Sequence, residues 1–233
     1  MKLETSGLSD IGRKRENNQD SYLLNDKAKL YVVADGMGGH VGGEIASKMA
    51  VDTLSKVFSY TSRSFDPSSY LVRAIQEANN MIYEKAVQTP SLKGMGTTVT
   101  CLLFSYDTVF IAHVGDSRAY FIREGMIWQL SQDHSLVSEQ MVAGGAIAMR
   151  NIITRSVGYD RQVEVDLYTK KVAMGDRYLL CSDGLYGFVS QKEMATVVSS
   201  SVLPLATKKL IDLANSRGGD DNITAVLVKV EEI

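Results

Sequence analysis

The sequence predicts an α+β fold in which antiparallel sheets pack together and helices cover them from outside. The chain of 233 residues is 45% hydrophobic and 22% charged, a composition typical of a folded globular domain. Short runs rich in Val, Ile, Leu and Tyr are spread along most of its length. Segments with helical spacing come in groups between groups of these runs, whereas a doubly wound parallel sheet would alternate them one for one.

Seven runs predict the strands. They contain the residue types that favour extended, half-buried backbone, and they cover residues 30–34, 97–104, 109–114, 119–123, 162–168, 178–181 and 223–230. We expect these runs to form a sheet-rich core.

Helical spacing predicts the covering layers. Between residues 44 and 58 apolar side chains recur on one face, and the same spacing recurs between residues 69 and 86. Shorter segments with this spacing are 135–143, 191–199 and 203–215. No repeat and no Pro-, Gly- or Ser-rich linker divides the chain, so we expect a single domain spanning residues 1–233.

Charge and cysteine content argue against several classes of protein. Lys and Arg number 25 against 27 Asp and Glu, so the formal charge of -2 gives no net attraction for nucleic acid. Apolar runs are too short for a membrane span and the N-terminus has no apolar targeting segment, so we expect a cytoplasmic protein. Cys101 and Cys181 lie in apolar runs, as expected for buried reduced thiols, and the low Cys and His content disfavours a zinc cage.

Four aspartates occupy the ends of predicted strands. Asp35 closes the run YVVAD, Asp116 follows IAHVG, Asp183 follows YLLCS, and Asp221 precedes NITAVLV, each with glycine nearby. If these strand ends meet at one edge of the core, the carboxylates converge and repel one another unless cations lie between them. Oxygen-only ligands of this kind select Mg²⁺ or Mn²⁺. The alternative is that each Asp-Gly pair only forms a turn, which is the commoner case for a single pair; for four together we favour a polynuclear metal site.

Other signatures disfavour nucleotide binding and exclude a cysteine nucleophile. The glycine-rich segment 35–44, DGMGGHVGGE, lacks the Lys-Ser/Thr ending of a P-loop and the glycine spacing of the dinucleotide fingerprint. Six positions after the two cysteines stand Asp107 and Gly187, so the arginine of a cysteine-nucleophile phosphatase loop is absent.

Basic side chains near the aspartates are candidates for binding an anion. Arg15 lies close to Asp20, and its planar guanidinium suits a phosphoryl group because it pairs two oxygens at once. For its neighbours Arg13 and Lys14 we favour a solvated loop, and for Arg118 a structural ion pair.

Histidine offers one further candidate. His40 lies in the glycine-rich segment and is a candidate proton donor. His113 lies inside an apolar run, where we expect a packed structural side chain, and for His134 a structural role is likewise the commoner case.

Eight motifs in order along the chain resemble the bacterial branch of the protein phosphatase 2C family of metal-dependent Ser/Thr phosphatases. They are RENNQD (15–20), VVADGMGGH (32–40), GMGTT (94–98), HVGDSR (113–118), DHS (133–135), NIITRSVG (151–158), LLCSDGL (179–185) and GGDDNIT (218–224). The resemblance covers essentially the whole chain. It implies a four-layer αββα sandwich of two antiparallel sheets flanked by helices.

The resemblance implies a role for each acidic residue. Asp35 would bridge two tightly bound Mn²⁺ or Mg²⁺ ions, Gly36 would give a backbone carbonyl to one of them, and Asp183 and Asp221 would complete the other. Asp116, together with Asp183, would hold a third and weaker ion.

Two further residues acquire roles by the same resemblance. Asp20 would orient metal-bound water, and Arg15 would bind the phosphate of the substrate. The implied reaction is hydrolysis of phosphoserine or phosphothreonine by direct attack of a metal-bridging water. Arg15 is assigned to catalysis as well as to substrate binding, with positioning of the substrate alone as the alternative.

The sequence departs from the family pattern at three places. Gln19 stands where many relatives carry Glu, and Met37 stands where eukaryotic relatives carry His. After DHSLVSEQMVAGG only AIAMR precedes NIITRS, where bacterial relatives carry an acidic helical stretch, so the flap beside the substrate channel is predicted to be shortened near residues 144–150.

The implied substrates are phosphorylated proteins, and the implied counterpart is a bacterial Ser/Thr protein kinase. We expect a monomer. Two alternatives have weaker support: a non-catalytic phosphatase-like binding protein, which should have lost metal ligands, and a phosphatase dedicated to one sigma-factor regulator, for which no accessory sensor segment is present.

Overall fold

The computed structural model describes the backbone of residues 1–59, 66–141 and 147–233, and the side chains in these ranges apart from 39–41, 137–141 and 147–151. Within them the strands are β1 (Lys2–Asp10), β2 (Asp20–Asn25), β3 (Leu30–Met37), β4 (Gly96–Thr97), β5 (Val99–Ser105), β6 (Thr108–Val114), β7 (Arg118–Arg123), β8 (Met126–Gln129), β9 (Ser135–Met141), β10 (Ile147–Ile153), β11 (Asp166–Lys171), β12 (Arg177–Cys181) and β13 (Ile223–Glu232). The helices are α1 (Gly39–Ser59), α2 (Pro67–Gln88), α3 (Asp183–Tyr186), α4 (Gln191–Ser200) and α5 (Leu203–Ser216), with a 3-10 turn at Pro90–Leu92.

Two antiparallel sheets form the centre of the molecule. Sheet I has the strand order β1-β13-β12-β7-β8, and sheet II has the order β11-β6-β5-β3-β2, with the short β4 paired to β3. The chain crosses from sheet II to sheet I between β6 and β7. Strands β9 and β10 pair with each other in a separate antiparallel hairpin.

Side chains of the central strands alternate between two apolar layers because successive residues of a strand point to opposite faces. In β3, Leu30 and Val32 pack with the helical layer, whereas Tyr31 and Val33 pack between the two sheets. Helices α1 and α2 cover sheet II, and α4 and α5 cover sheet I. The predicted four-layer αββα sandwich is therefore confirmed.

Local sequence signals explain where the helices begin. At α2, the carboxylate of Asp66 accepts the backbone N–H of Ser69 at 2.9 Å, and Pro67 occupies the first helical position. At α4, Ser190 and Glu193 form a reciprocal capping box. No helix within the described ranges is long and apolar enough to cross a membrane.

Three details of the predicted elements are wrong. The segment 135–143, predicted as a helix, forms β9 as far as it is described, because pairing with β10 overrides its local spacing. The predicted strand 162–168 begins later, at Asp166 in β11. Strands β1, β2, β8 and β10 were not predicted; the first three lie at sheet edges and, apart from Asp20, contain no buried residue.

Candidate metal centre

The topology brings the predicted acidic residues to one end of the sandwich. In sheet II, β3 and β6 run in the same direction, so Asp35 near the end of β3 and Asp116 after β6 lie at the same edge. Asp20 begins β2 and pairs directly with Asp35. In sheet I, the last residue of β12, Cys181, pairs with the start of β7 and of β13.

That register places the remaining two acids at the same end. Asp183 follows β12, and Asp221 precedes β13. The charges of Asp20, Asp183, Asp116 and Asp221 all act on Asp35, so the five carboxyl groups form one cluster. We call these five residues the acidic cluster.

Burial and mutual repulsion raise the pKa values of the acidic cluster. Burial, followed by the charges of the four neighbours, raises the pKa of Asp35 well above its usual range. Burial also raises the pKa of Asp116 to about 7 and that of Asp183 to about 6, with neighbouring carboxylates adding to both shifts. Burial raises the pKa of Asp20 to about 7, although hydrogen bonds from two hydroxyl groups act in the opposite direction.

Several oxygens of the acidic cluster lack a hydrogen-bond donor. The Oδ1 atoms of Asp20, Asp116 and Asp183 are buried and have no partner in the described part of the chain. Buried carboxylate oxygens normally accept hydrogen bonds, so unpartnered ones indicate a missing ligand. Oxygen ligands without thiolate or imidazole fit Mg²⁺ or Mn²⁺.

The acidic cluster does not form a closed cage of side chains. Among the described residues, no group of three or more His, Cys, Asp or Glu is already arranged to hold one ion. Mg²⁺ and similar hard ions use one or two carboxylates and fill their other positions with water or carbonyl oxygen. The cluster therefore fits ions that are each bound by only one or two carboxylates. It does not fit a metal site in which side chains supply every ligand.

Close backbone approach explains why glycine follows Asp35. A Cβ atom at Gly36 would lie 2.0 Å from the carbonyl oxygen of Gly43, and one at Gly43 would lie 2.6 Å from the carbonyl oxygen of Gly36. The two glycines allow the first turns of α1 to lie against the end of β3. Any side chain at residue 36 would push α1 away and displace the carbonyl assigned to a metal.

Hydroxyl side chains hold the backbone and carboxylates of the cluster in place. Ser182 and Thr224 donate to Oδ2 of Asp20 at 2.7 and 2.6 Å. Thr97 donates to the carbonyl of Asp35 at 2.9 Å, and Thr98 accepts the Asp35 N–H at 2.8 Å. None of these four residues had a predicted role; the only signal in the sequence was a Ser or Thr within or beside each acidic motif.

Asn222 fastens the N-terminal loop to the cluster. Its side-chain oxygen accepts the backbone N–H of Gln19 at 2.8 Å, and its amide donates to the carbonyls of Ile11 and Asn17 at 3.0 and 2.9 Å. This contact places the loop between β1 and β2 beside Asp221. The sequence analysis did not identify Asn222 either.

Arg15 lies on that loop and contacts the cluster directly. Its Nη2 is 2.5 Å from Oδ2 of Asp221, and 47% of its side chain is exposed. A half-exposed guanidinium at the edge of buried carboxylates can meet an incoming anion. Its neighbour Lys14 pairs instead with the exposed Asp220 at 2.8 Å, as expected for a solvated loop.

The other basic and histidine residues are structural where they are described. Arg118 donates from Nε and Nη2 to Asp133, the predicted ion pair. His113 is fully buried, with Nε2 3.0 Å from the Gln132 carbonyl, and burial lowers its pKa to about 4. The side chain of His40 lies outside the described residues, so its role as a proton donor stays a prediction.

The predicted flap segment corresponds to the β9–β10 hairpin. Its base is attached to the cluster, since Nδ1 of the buried His134 accepts the backbone N–H of Gly115 at 3.1 Å. Leu136 and Ile152 form a cross-strand pair at this base and are 65% and 48% exposed. Residues 142–146, which include part of the predicted shortening, lie outside the described residues.

Comparisons with known proteins agree with this geometry. A family model described as Protein phosphatase 2C matches residues 9–222. The serine/threonine phosphatase stp of Listeria innocua is 39% identical to this chain, with 95% of this chain and 93% of that protein covered.

Solved structures give the same result. The serine/threonine phosphatase of S. agalactiae is 39% identical, with a TM-score of 0.88 over 99% of this chain and 100% of that one. The catalytic domain of PstP, determined in complex with two manganese ions, is 32% identical, with a TM-score of 0.86 over 99% of each chain.

Proposed function

The chain belongs to the protein phosphatase 2C family and is a protein serine/threonine phosphatase, and from this premise we propose that it hydrolyses phosphoserine and phosphothreonine directly, without a phosphoenzyme intermediate. The observation that carries the proposal is the acidic cluster with its unpartnered buried oxygens. The PstP structure holds two manganese ions. We propose Mn²⁺ or Mg²⁺ for this chain, as two tightly held ions and a third, weaker one.

We assign the ions to residues of the acidic cluster. Asp35 and the carbonyl of Gly36, with Asp183 and Asp221, would hold the tight pair, and Asp116 with Asp183 would hold the weaker ion. When bound, such ions lower the pKa of water and neutralise charge on a phosphoryl group.

The protein residues then bind and orient the substrate. Arg15 pairs with the phosphoryl oxygens, which its exposed position at the edge of the cluster permits. Asp20 is held in one orientation by Ser182 and Thr224, which leaves its other oxygen directed to the site. His40 is our candidate donor of a proton to the leaving alkoxide.

We propose that the substrates are proteins phosphorylated by a Ser/Thr protein kinase. A flap shortened as predicted would leave an open approach for them, and the exposed pair Leu136 and Ile152 at the base of the β9–β10 hairpin offers apolar contacts. Insertion of an acidic segment between Gly145 and Arg150 should then raise the selectivity for phosphopeptides over aryl phosphates. If the ratio of kcat/KM for the phosphopeptide to kcat/KM for the aryl phosphate is the same before and after the insertion, the flap has no role in this selectivity.

The proposed reaction is tested by hydrolysis of a phosphothreonine peptide with Mn²⁺ and after chelation. We expect activity in the wild type and none in Asp183→Asn, whereas Asp212→Asn, in an exposed pair with Lys208, should retain it. A denaturing quench with ³²P-labelled peptide should leave no label on the protein. Stable label, or activity in Asp183→Asn, would contradict the proposal.

A further inference from the structure

Tyr186 connects two residues of the acidic cluster that come from different parts of the fold. It is the last residue of α3, a four-residue helix that begins at Asp183. Its hydroxyl group donates a hydrogen bond of 3.0 Å to the backbone carbonyl of Asp116. One short turn of helix therefore joins the residue that follows β12 to the loop that crosses from sheet II to sheet I.

The ring of Tyr186 makes a second contact with the same loop. The guanidinium carbon of Arg118 lies 3.6 Å from the ring centroid, the geometry of a cation–π contact. Arg118 is itself fixed, because it donates to Asp133 at 2.7 Å and to the hydroxyl of Tyr120 at 3.2 Å. Tyr186 thus contacts the loop at residue 116 through its hydroxyl and at residue 118 through its ring.

The loop held in this way needs a fixed backbone conformation. Gly115 has φ +108°, and a Cβ there would lie 2.5 Å from the side chain of Thr98, so the loop passes close to sheet II immediately before Asp116. The side chain of Asp116 is only 3% exposed, and its Oδ1, like that of Asp183, has no partner in the described chain. The distance between Oδ1 of Asp116 and Oδ1 of Asp183 depends on the contacts that hold α3 against the loop.

We propose that Tyr186 is a positioning residue that fixes Asp116 relative to Asp183 and thereby sets the affinity for the more weakly held divalent cation that the two carboxylates share. This inference rests on the proposed function, because it assumes that the acidic cluster binds cations. It concerns the hydroxyl group above all, since the hydroxyl alone contacts Asp116. Burial and the nearby carboxylates raise the pKa of Tyr186, which keeps the hydroxyl protonated as a donor.

A purely structural role is the competing explanation, because Tyr186 also packs against the apolar layer between sheet I and its helices. Tyr186→Phe separates the two roles: it keeps the ring under Arg118 and removes only the hydroxyl. Tyr120→Phe is the matched control, since it removes a hydroxyl that contacts the same Arg118 but does not contact Asp116. Tyr186→Leu removes both hydroxyl and ring.

The experiment is a Mn²⁺ titration of the full chain at equilibrium, with free Mn²⁺ measured by its EPR signal. In the wild type we expect a tight and a weak class of ion. In Tyr186→Phe the Kd of the weak class should rise about five-fold, the order of one lost hydrogen bond, while the Kd of the tight class stays unchanged and the Tm falls no further than in Tyr120→Phe. Tyr186→Leu should raise the weak Kd further, and Tyr120→Phe should bind as the wild type does.

Activity gives an independent readout. In Tyr186→Phe the Mn²⁺ concentration for half-maximal hydrolysis should rise in parallel with the weak Kd, whereas KM for the phosphopeptide at saturating Mn²⁺ should not change. An unchanged weak class in Tyr186→Phe, an equal loss in both classes, or the absence of a weak class in the wild type would overturn the inference. In each of these cases the wild type still binds Mn²⁺ tightly and hydrolyses the phosphopeptide, whereas failure of the proposed function would appear as a wild type that binds no Mn²⁺ and hydrolyses no phosphopeptide.

Discussion

Strand β12 is flanked on each side by an aspartate with a buried carboxylate oxygen, and the surroundings of the two aspartates are opposite in character. Asp176, just before the strand, is fully buried and accepts hydrogen bonds from Arg123 at 2.6 Å and from the backbone N–H of Ala173 at 2.9 Å. Asp183, just after the strand, has an unpartnered Oδ1 and other carboxylates as neighbours. The guanidinium of Arg123 supplies a cation to Asp176, whereas the strongest charge acting on Asp183 is that of another carboxylate, Asp221.

This difference separates a structural acid from a functional one. A buried carboxylate is stable when a cation and hydrogen-bond donors surround it, and it is costly when like charges do. The arrangement around Asp176 stabilises the fold, whereas under the proposed function the arrangement around Asp183 would stabilise the fold only after a cation binds.

Loss of a carboxylate at the functional end should abolish turnover. Asp35→Asn or Asp183→Asn should lower kcat on a phosphothreonine peptide by roughly three orders of magnitude or more, because each removes a proposed metal ligand. The metal-free variants should be at least as stable to urea as the wild type, since repulsion in the cluster falls. A near-native kcat, or a clear loss of stability in the metal-free variants, would show that Asp183 has a structural role like that of Asp176.

Loss of the carboxylate at the structural end should have the reverse signature. Asp176→Asn leaves Arg123 without its counter-charge and should lower the free energy of unfolding by about 2 to 4 kcal/mol. The kcat of the folded fraction should stay close to that of the wild type. Urea denaturation beside Asp212→Asn, which should alter stability little, measures the effect; a stable but inactive Asp176→Asn would show that the two ends are not independent.

The pH dependence of stability should reveal the same contrast in the metal-free protein. The folded pKa values of Asp20, Asp116 and Asp183 lie at about 7, 7 and 6, above the value near 3.8 of a free carboxyl group. Between these values the folded state therefore binds more protons than the unfolded state. The contribution of these groups to the free energy of unfolding is complete below pH 4 and is lost as the pH rises through 6 to 7.

Chelated protein should accordingly be more stable at pH 5 than at pH 8, by an amount on the order of a few kcal/mol. Saturating Mn²⁺ should remove the trend, because it replaces the protons as the compensating charge. Urea midpoints across this pH range provide the measurement. A stability that rises from pH 5 to pH 8 without metal has the wrong sign for this account.

A smaller effect is expected at the edge of the functional end. Arg15→Ala should raise KM for phosphate monoesters about ten-fold with a lesser change in kcat, as for an interaction made equally in ground and transition states. Lys14→Ala, which removes the neighbouring cation paired with Asp220, is the control and should leave KM unchanged. A large fall in kcat at constant KM would assign Arg15 to the transition state instead.

The fold was predictable wherever strands are buried on both faces. The runs that became β3, β6, β12 and β13 are mostly apolar because they lie between two packed layers. Edge strands such as β1 are only partly buried and carry mixed residues, so they give no such signal. The hairpin after residue 134 depends on pairing between separate segments, which helical spacing cannot reveal.

The site was predictable to the same extent. Aspartates at the ends of apolar strands gave four members of the acidic cluster, because strand ends of one sandwich meet at its edge. The fifth, Asp20, was identified only through the family resemblance. The residues that hold them, such as Thr97, Ser182 and Tyr186, were not predictable: buried hydroxyl groups are common, and their partners lie far away in sequence. Only the register of the strands identifies those partners.

The most direct test of the central claim is equilibrium dialysis of chelated protein against Mn²⁺, with hydrolysis of a phosphothreonine peptide measured on the same samples. The claim is that the unpartnered carboxylates of the acidic cluster bind the cations that catalysis requires. The wild type should bind at least two ions per chain and become active as they bind. Asp183→Asn should lose both Mn²⁺ binding and activity, and Asp176→Asn should keep Mn²⁺ binding and activity in its folded fraction. Full activity in the chelated wild type, or unchanged Mn²⁺ binding in Asp183→Asn, would contradict the account.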